Sequence, residues 1–250
     1  MASADPARDA TADPVELAKF AELGRSWWDS TGPMAPLHKL NPVRVAYIRD
    51  RTCARFDRDP AMRVPLAGLA ALDIGCGGGL LAEPLTRLGA RVTGIDPIAA
   101  NTETAAWHAR EVGLEIDYAA IAVEAVAAAG RRFDLVVASE VIEHVADVAS
   151  FLGAVAAVTR PGGLVILSTL SRTSTSFLKA IVGAEYVLGW LPRGTHDWRR
   201  FLTPAELGRA LRAHGIRPLH VSGIGYDGSR DSFALTRDPS VNYLMAAGRA

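Results

Sequence analysis

Between Leu69 and Leu170, short apolar runs ending in glycine or polar loops alternate with segments of helical spacing. "LAALDIG" (69–75) reads as a buried strand, and "LLAEPLTRLG" as a helix closed by Gly89. "ARVTGID" is a strand and "NTETAAWHAREVG" a helix. "LEIDYAAI", "RFDLVVASEVIEHV" and "GGLVILSTL" supply further strands, the second of them running into a helical turn. Strands alternating with helices predict a parallel sheet with right-handed crossovers, so the class is α/β, doubly wound and Rossmann-like. "TPAELGRALRAHG" follows as a capped helix, then "IRPLHVSGIGY" and "SVNYLMAAGR" as strands. Their short polar connection suits a hairpin and an antiparallel edge. An open sheet of this kind holds its ligand beyond the carboxyl ends of the strands.

A chain of 250 residues can bury a sizeable core. Its 27 basic and 27 acidic residues balance, which gives no electrostatic argument for nucleic acid. Cys53 and Cys76 supply neither a disulfide framework nor a cysteine-rich zinc site. No apolar run reaches the roughly 18 residues that would span a bilayer. "MASADPARDATADP" lacks a signal-peptide core, and its acids argue against a transit peptide, which favours a bacterial cytoplasm. Residues 1–12 read as a disordered tail and 13–250 as a single domain. Within it, residues 13–60 supply helices that close the site: one over Asp13–Asp29 and one starting at Asn41-Pro42.

"LDIGCGGG" (72–79) lies between the first strand and the first crossover helix. Gly75, Gly77 and Gly79 allow a tight turn and close approach to a ligand. The spacing is G-x-G-x-G, not the G-x-G-x-x-G of a pyrophosphate site, and Asp73 precedes it. A carboxylate there repels phosphate and suits an ammonium group. Asp96 ends the next strand, where an acid can accept both hydroxyls of a ribose. A ribose, a cationic amino acid and no phosphate together describe S-adenosylmethionine; Asp73 argues against NAD and hence against a dehydrogenase.

With these motifs the chain resembles the class I S-adenosylmethionine-dependent methyltransferases, and more narrowly the ubiquinone-biosynthesis O-methyltransferase family. The narrower likeness lies in "RSWWDSTGPMAPLHKLNPVRVAYI" (25–48), "VASEVIEHV" (137–145), "VGAEYVLGWLPRGTHDWRRF" (182–201) and "VNY" (241–243). The resemblance covers residues 13–248. It implies a seven-stranded, mostly parallel sheet with an antiparallel last strand and helices on both faces. It also implies cofactor contacts at Arg44, Gly75, Asp96 and Ser139, to which the loop reading adds Asp73 and Gly77. A guanidinium at Arg44 could clamp the methionine carboxylate in bidentate fashion. The implied substrates are catechols carrying a polyprenyl tail, 2-polyprenyl-6-hydroxyphenol and 3-demethylubiquinol. Other enzymes of the ubiquinone pathway are implied partners. Methylation of another small phenol or carbon acid, and a cofactor-binding regulator without catalysis, are the rival functions; the polar cleft residues speak against the second.

"SEVIEH" places Glu140, Glu143 and His144 within what reads as one helical turn, whose shared face would let Glu140 meet both partners. Three readings stand: a site for Mg2+ or another divalent ion held by all three, a general base at His144 steadied by Glu143, or a polar turn facing the cleft. His38 and the pair His196-Asp197 are further candidates to touch substrate. The stretch 172–200 is mostly apolar at its centre, ends in Tyr186 and Trp190, and is flanked by Arg172, Lys179, Arg193, Arg199 and Arg200. It reads as a lid and as a peripheral contact with a membrane surface of anionic lipids, not as an anchor.

Overall fold

The computed structural model describes Thr11 and residues 27–177 and 197–250. The expected helix over 13–29 lies outside these residues except for a short turn at Trp27-Trp28, and so do Tyr186, His196 and most of the expected lid.

Helix α1 (Ala35–Arg55) is followed by β1 (Ala70–Ile74), α2 (Ala82–Arg87), β2 (Arg91–Ile95), α3 (Ala99–Glu111), β3 (Asp117–Ala119), α4 (Val123–Ala128) and β4 (Phe133–Ser139). Then come α5 (Val148–Val158), β5 (Thr159–Leu170), α6 (Pro204–Ala213), β6 (Ile216–Asp227), β7 (Ser232–Thr236) and β8 (Asn242–Arg249). The sheet order is β3-β2-β1-β4-β5-β8-β6-β7. Strands β1 to β5 pair in parallel, whereas β8 runs antiparallel to both β5 and β6. The order reverses between β1 and β4, which sets the ligand crevice at their carboxyl ends.

Alternation along the strands divides the core into two layers. Leu72, Val136 and Val165 face Phe151, Leu152 and Val155 of α5. Ala71, Leu135, Val137 and Ile166 face Tyr47 and Ile48 of α1, Leu85 of α2 and Leu81 just before it. Both faces are covered, which is why these strands read as continuous apolar runs.

Three expectations change. Among the described residues the sheet has eight strands, because "SFALT" forms β7 against Gly223–Asp227. The connection after β6 is therefore no simple hairpin: β7 is the edge, and β8 lies inside the sheet. Helix α1 starts six residues before Asn41, with a proline in its first two positions and Pro42 inside it. Asn41 is not its cap; its Nδ2 donates to the Leu80 carbonyl at 2.6 Å. Thr11 is not a free tail residue. It is buried, its Oγ1 donates to Glu124 Oε1 at 2.6 Å, and its carbonyl accepts the Ala146 amide at 2.7 Å.

Candidate active site

The Gly loop leaves β1 through left-handed backbone at Gly75 (φ 67°) and Gly77 (φ 52°), conformations that side chains disfavour. A Cβ on Gly75 would lie 2.5 Å from Val141 Cγ2, so the loop is packed directly on the segment after β4. Glycine is required here for space as well as for φ.

Asp73, on β1, is buried, and its Oδ2 has no hydrogen-bond partner. Burial, with Asp96 nearby, pushes its carboxyl up to about 7, and Arg44 opposes that rise. Arg44 comes from α1 and is also buried. Its Nη2 lies 3.1 Å from Glu140 Oε1, yet Nε and Nη2 make no hydrogen bond of acceptable geometry. A buried acid and a buried guanidinium thus share one crevice with bonding capacity to spare. Asp96, just past β2, is more fully occupied: Oδ1 accepts from the Ile98 amide (2.9 Å) and Asn101 Nδ2 (3.2 Å), and Oδ2 from the Gly77 amide (3.1 Å). Two lone pairs per oxygen leave Oδ2 one further acceptor position. Burial still raises this carboxyl above its ordinary range.

At the ends of β4 and β5, Ser139 Oγ meets Ser168 Oγ at 2.8 Å, and Ser168 Oγ donates to Glu140 Oε1 at 2.8 Å. Asn242 Nδ2, at the start of β8, reaches the same Glu140 oxygen at 3.4 Å. Glu140 itself stands at φ 56°, a left-handed position that non-glycine residues rarely occupy. Such strain persists where surrounding bonds over-determine it. Its amide supplies one of them, donating to the Ser168 carbonyl at 3.0 Å.

That kink changes the acidic turn. Only Ile142–His144 are helical, as a 3₁₀ turn, so Glu140 does not share a helical face with Glu143 and His144. Glu143 is buried and accepts from Thr169 Oγ1 at 2.9 Å. Burial foremost, then the charge of Glu140, push its carboxyl well above the ordinary range. The three residues are already engaged apart from one another: Glu140 Oε1 by Arg44, Ser168 and Asn242, and Glu143 Oε2 by Thr169. Among the described residues no group of three or more His, Cys, Asp or Glu side chains is arranged to hold a metal.

Two of the four expected substrate residues, His38 and Asp197, are among the described residues. His38 Nε2 contacts the Trp27 carbonyl at 2.9 Å, and its ring lines a groove with Trp28, Asn41, Glu83 and His108 that none of the acidic-turn residues line. Asp197 is exposed, and its Oδ1 accepts the Arg199 amide at 3.0 Å. Ser168, Thr169, Asn242 and Asn101 were not singled out in the sequence. The first three sit at strand ends where "LSTL" and "VNY" put polar groups into otherwise apolar runs, which is a legible signal.

The crevice, with unbonded polar atoms on the buried Asp73 and Arg44, stands at the switch point of the sheet. A methyltransferase domain family matches residues 47–221. A solved S-adenosylmethionine-dependent methyltransferase from Clostridium acetobutylicum superposes with a TM-score of 0.61 at 13% identity, over 93% of this chain and 98% of that one. Magnesium protoporphyrin IX methyltransferase from Synechocystis, with S-adenosylmethionine bound, superposes with a TM-score of 0.57 at 17% identity, over 92% and 97%. Those two likenesses establish the fold. Fold, site and domain family define the class: an S-adenosylmethionine-dependent methyltransferase of the Rossmann-like type. The ubiquinone biosynthesis O-methyltransferase of Methylobacterium sp. (strain 4-46) is 54% identical over 95% of each chain. That of Methylocella silvestris is 51% identical over 100% of this chain and 99% of its own. The chain belongs to the ubiquinone biosynthesis O-methyltransferase family, and its activity is O-methyl transfer from S-adenosylmethionine.

Proposed function

We propose that the crevice holds the cofactor as a zwitterion, Asp73 facing its ammonium and Arg44 its carboxylate, with Asp96 on the ribose and Ser139 lining the cleft. One observation carries this: Asp73 Oδ2, an acceptor, and Arg44 Nε and Nη2, donors, are buried and without hydrogen bonds. An amino-acid zwitterion satisfies both at once. The acceptor is a polyprenylated catechol, at the 2-polyprenyl-6-hydroxyphenol and 3-demethylubiquinol steps. When bound, S-adenosylmethionine would supply an activated methyl group to the catechol oxygen, its sulfur keeping the electron pair of the broken carbon–sulfur bond. The chain's task is alignment and removal of one phenolic proton, whose ordinary pKa is about 10. We assign that proton to His144, because Glu143 is buried with Oε2 engaged by Thr169, and Glu140 is held by Arg44 and Ser168.

The charge pairing has a pH signature. Asp73, lifted to about 7 from 3.8, keeps a proton in the folded protein that the unfolded chain releases above its ordinary pKa. Its contribution to stability of the ligand-free protein therefore falls as pH rises from about 4 to about 7. A bound ammonium favours the carboxylate, so cofactor affinity should rise over the same approach to pH 7 and level off above it. Calorimetry at pH 6 in buffers of different ionisation enthalpy should register proton release on binding. Asp73→Asn should bind more weakly and without that pH dependence; an unchanged pH profile in the variant would remove Asp73 from the ammonium. The substrate assignment is tested by transfer of labelled methyl to short-tailed catechols.

The substrate's tail motivates a peripheral site at the membrane. Phe177, the last described residue of the lid's first part, is 48% exposed, and no described helix is long and apolar enough to cross a bilayer. Its ring meets Trp198 edge-on at 6.2 Å, and the Trp198 indole donates to the Thr173 carbonyl at 2.9 Å. Phe177→Ser should weaken sedimentation with anionic vesicles while short soluble catechols are still methylated. Equal vesicle binding by the variant would place the lipid contact elsewhere. A cytoplasmic enzyme bound to the inner face of a bacterial membrane, beside other enzymes of the pathway, fits this chemistry.

A further inference from the structure

Trp27 lies flat on the Gly loop. A Cβ on Gly77 would come within 2.5 to 2.9 Å of its ring carbons Cη2, Cζ2 and Cζ3, and one on Gly78 within 2.4 Å of its Cγ. The indole Nε1 donates to Asn101 Oδ1 at 3.0 Å, and Asn101 Nδ2 donates to Asp96 Oδ1 at 3.2 Å. Asp96 closes the circuit by accepting the Gly77 amide at 3.1 Å. Neighbouring contacts fix the start of this chain. Trp28 Nε1 donates to the Gly78 carbonyl at 2.9 Å, and its ring stacks on His108 at 3.5 Å with planes 8° apart. His38 holds the Trp27 carbonyl.

Asn101 is buried, and its amide is used in both directions, accepting from Trp27 and donating to Asp96. The indole N–H, a donor only, and the Asp96 carboxylate, an acceptor, therefore fix together which way the Asn101 amide faces. Were that amide reversed, its oxygen would oppose the Asp96 carboxylate. We infer that Trp27 is a positioning residue of the cofactor site: through Asn101 it orients the Asp96 carboxylate for the ribose hydroxyls while its ring braces Gly77 and Gly78. This rests on the assignment of Asp96 to the ribose.

The test separates the hydrogen-bond chain from simple packing. Affinities for S-adenosylhomocysteine and its 2′,3′-dideoxy analogue are measured by calorimetry for the wild type, Trp27→Phe and Asn101→Ala. The wild type should bind the dideoxy analogue at least about tenfold more weakly, as expected when hydrogen bonds to a charged acceptor are lost. Trp27→Phe keeps a ring on the glycines and removes only the donor. It should weaken the ribose-bearing ligand about threefold to tenfold and leave the dideoxy analogue nearly unchanged, so the discrimination shrinks. Asn101→Ala breaks the chain at its middle and should reproduce that selective loss even if the tryptophan variant folds poorly. Equal weakening of both ligands would make the indole packing alone, and unchanged binding of both would remove it from the site; either overturns the inference. A wild type indifferent to the ribose hydroxyls would instead overturn the assignment of Asp96, and the inference with it.

Discussion

Arg44→Ala is expected to lose cofactor binding and about 3 kcal/mol of stability together. Its guanidinium is buried against Glu140 and within the field of Asp73. Removing one partner of a buried pair typically costs about 3–5 kcal/mol, and the partial exposure of Glu140 argues for the lower end. Without Arg44 the Asp73 carboxyl also loses the group that opposes its rise, so it stays protonated to higher pH and attracts an ammonium less. The two losses can be told apart. Adding Glu140→Gln to Arg44→Ala removes the uncompensated charge and should recover part of the stability in urea unfolding without recovering cofactor affinity. Arg44→Lys keeps the charge but not the planar fork, so binding should be only partly retained. Undiminished affinity in folded Arg44→Ala would reject the zwitterion site.

His144→Ala is expected to lower kcat by about a hundredfold to ten-thousandfold, the range associated with a positioned general base. Cofactor affinity should change little, since none of the zwitterion contacts involves the imidazole. Glu143→Gln makes the contrast, because glutamine cannot take up or release a proton there but can still accept from Thr169 Oγ1. Turnover by that variant should stay within a few-fold of wild type. A collapse with Glu143→Gln alongside normal turnover with His144→Ala would reverse the assignment. Exhaustive chelation is the third arm: loss of turnover restored by magnesium would bring a divalent ion back into the mechanism.

The fold was readable because its signals are local and redundant. Apolar runs such as 135–138 and 164–167 are strands buried on both faces, and Gly89 and Gly113 end helices in left-handed backbone. Asp73, Gly75, Gly77 and Asp96 were readable for a related reason: each sits at a fixed offset from a strand end. The acidic turn was misread because helical spacing assumes helical backbone, and nothing in "SEVIEH" announces the left-handed φ at Glu140. The position of β8 was misread because pairing across the sheet depends on partners distant in sequence. The link from Trp27 through Asn101 to Asp96 joins three segments, each of which looks ordinary alone.

The placement of β8 also bears on how the molecule comes together. Ser168 on β5 pairs with Leu244, and Ser222 on β6 pairs with the same Leu244, so one late segment bridges two strands that do not touch each other. Until residues 242–249 arrive, β5 and β6 each present a row of unpaired amides and carbonyls, an invitation to the wrong neighbour. Contacts of such long sequence separation form slowly, because loop-closure entropy is lost before the pairing compensates for it. The same insertion brings Asn242 to Glu140, so the catalytic crevice is completed only in the step that seals the sheet. A partly folded chain therefore has an aggregation hazard before it has an active site, and a chaperone that shields the open edge of β5 would protect yield and activity at once.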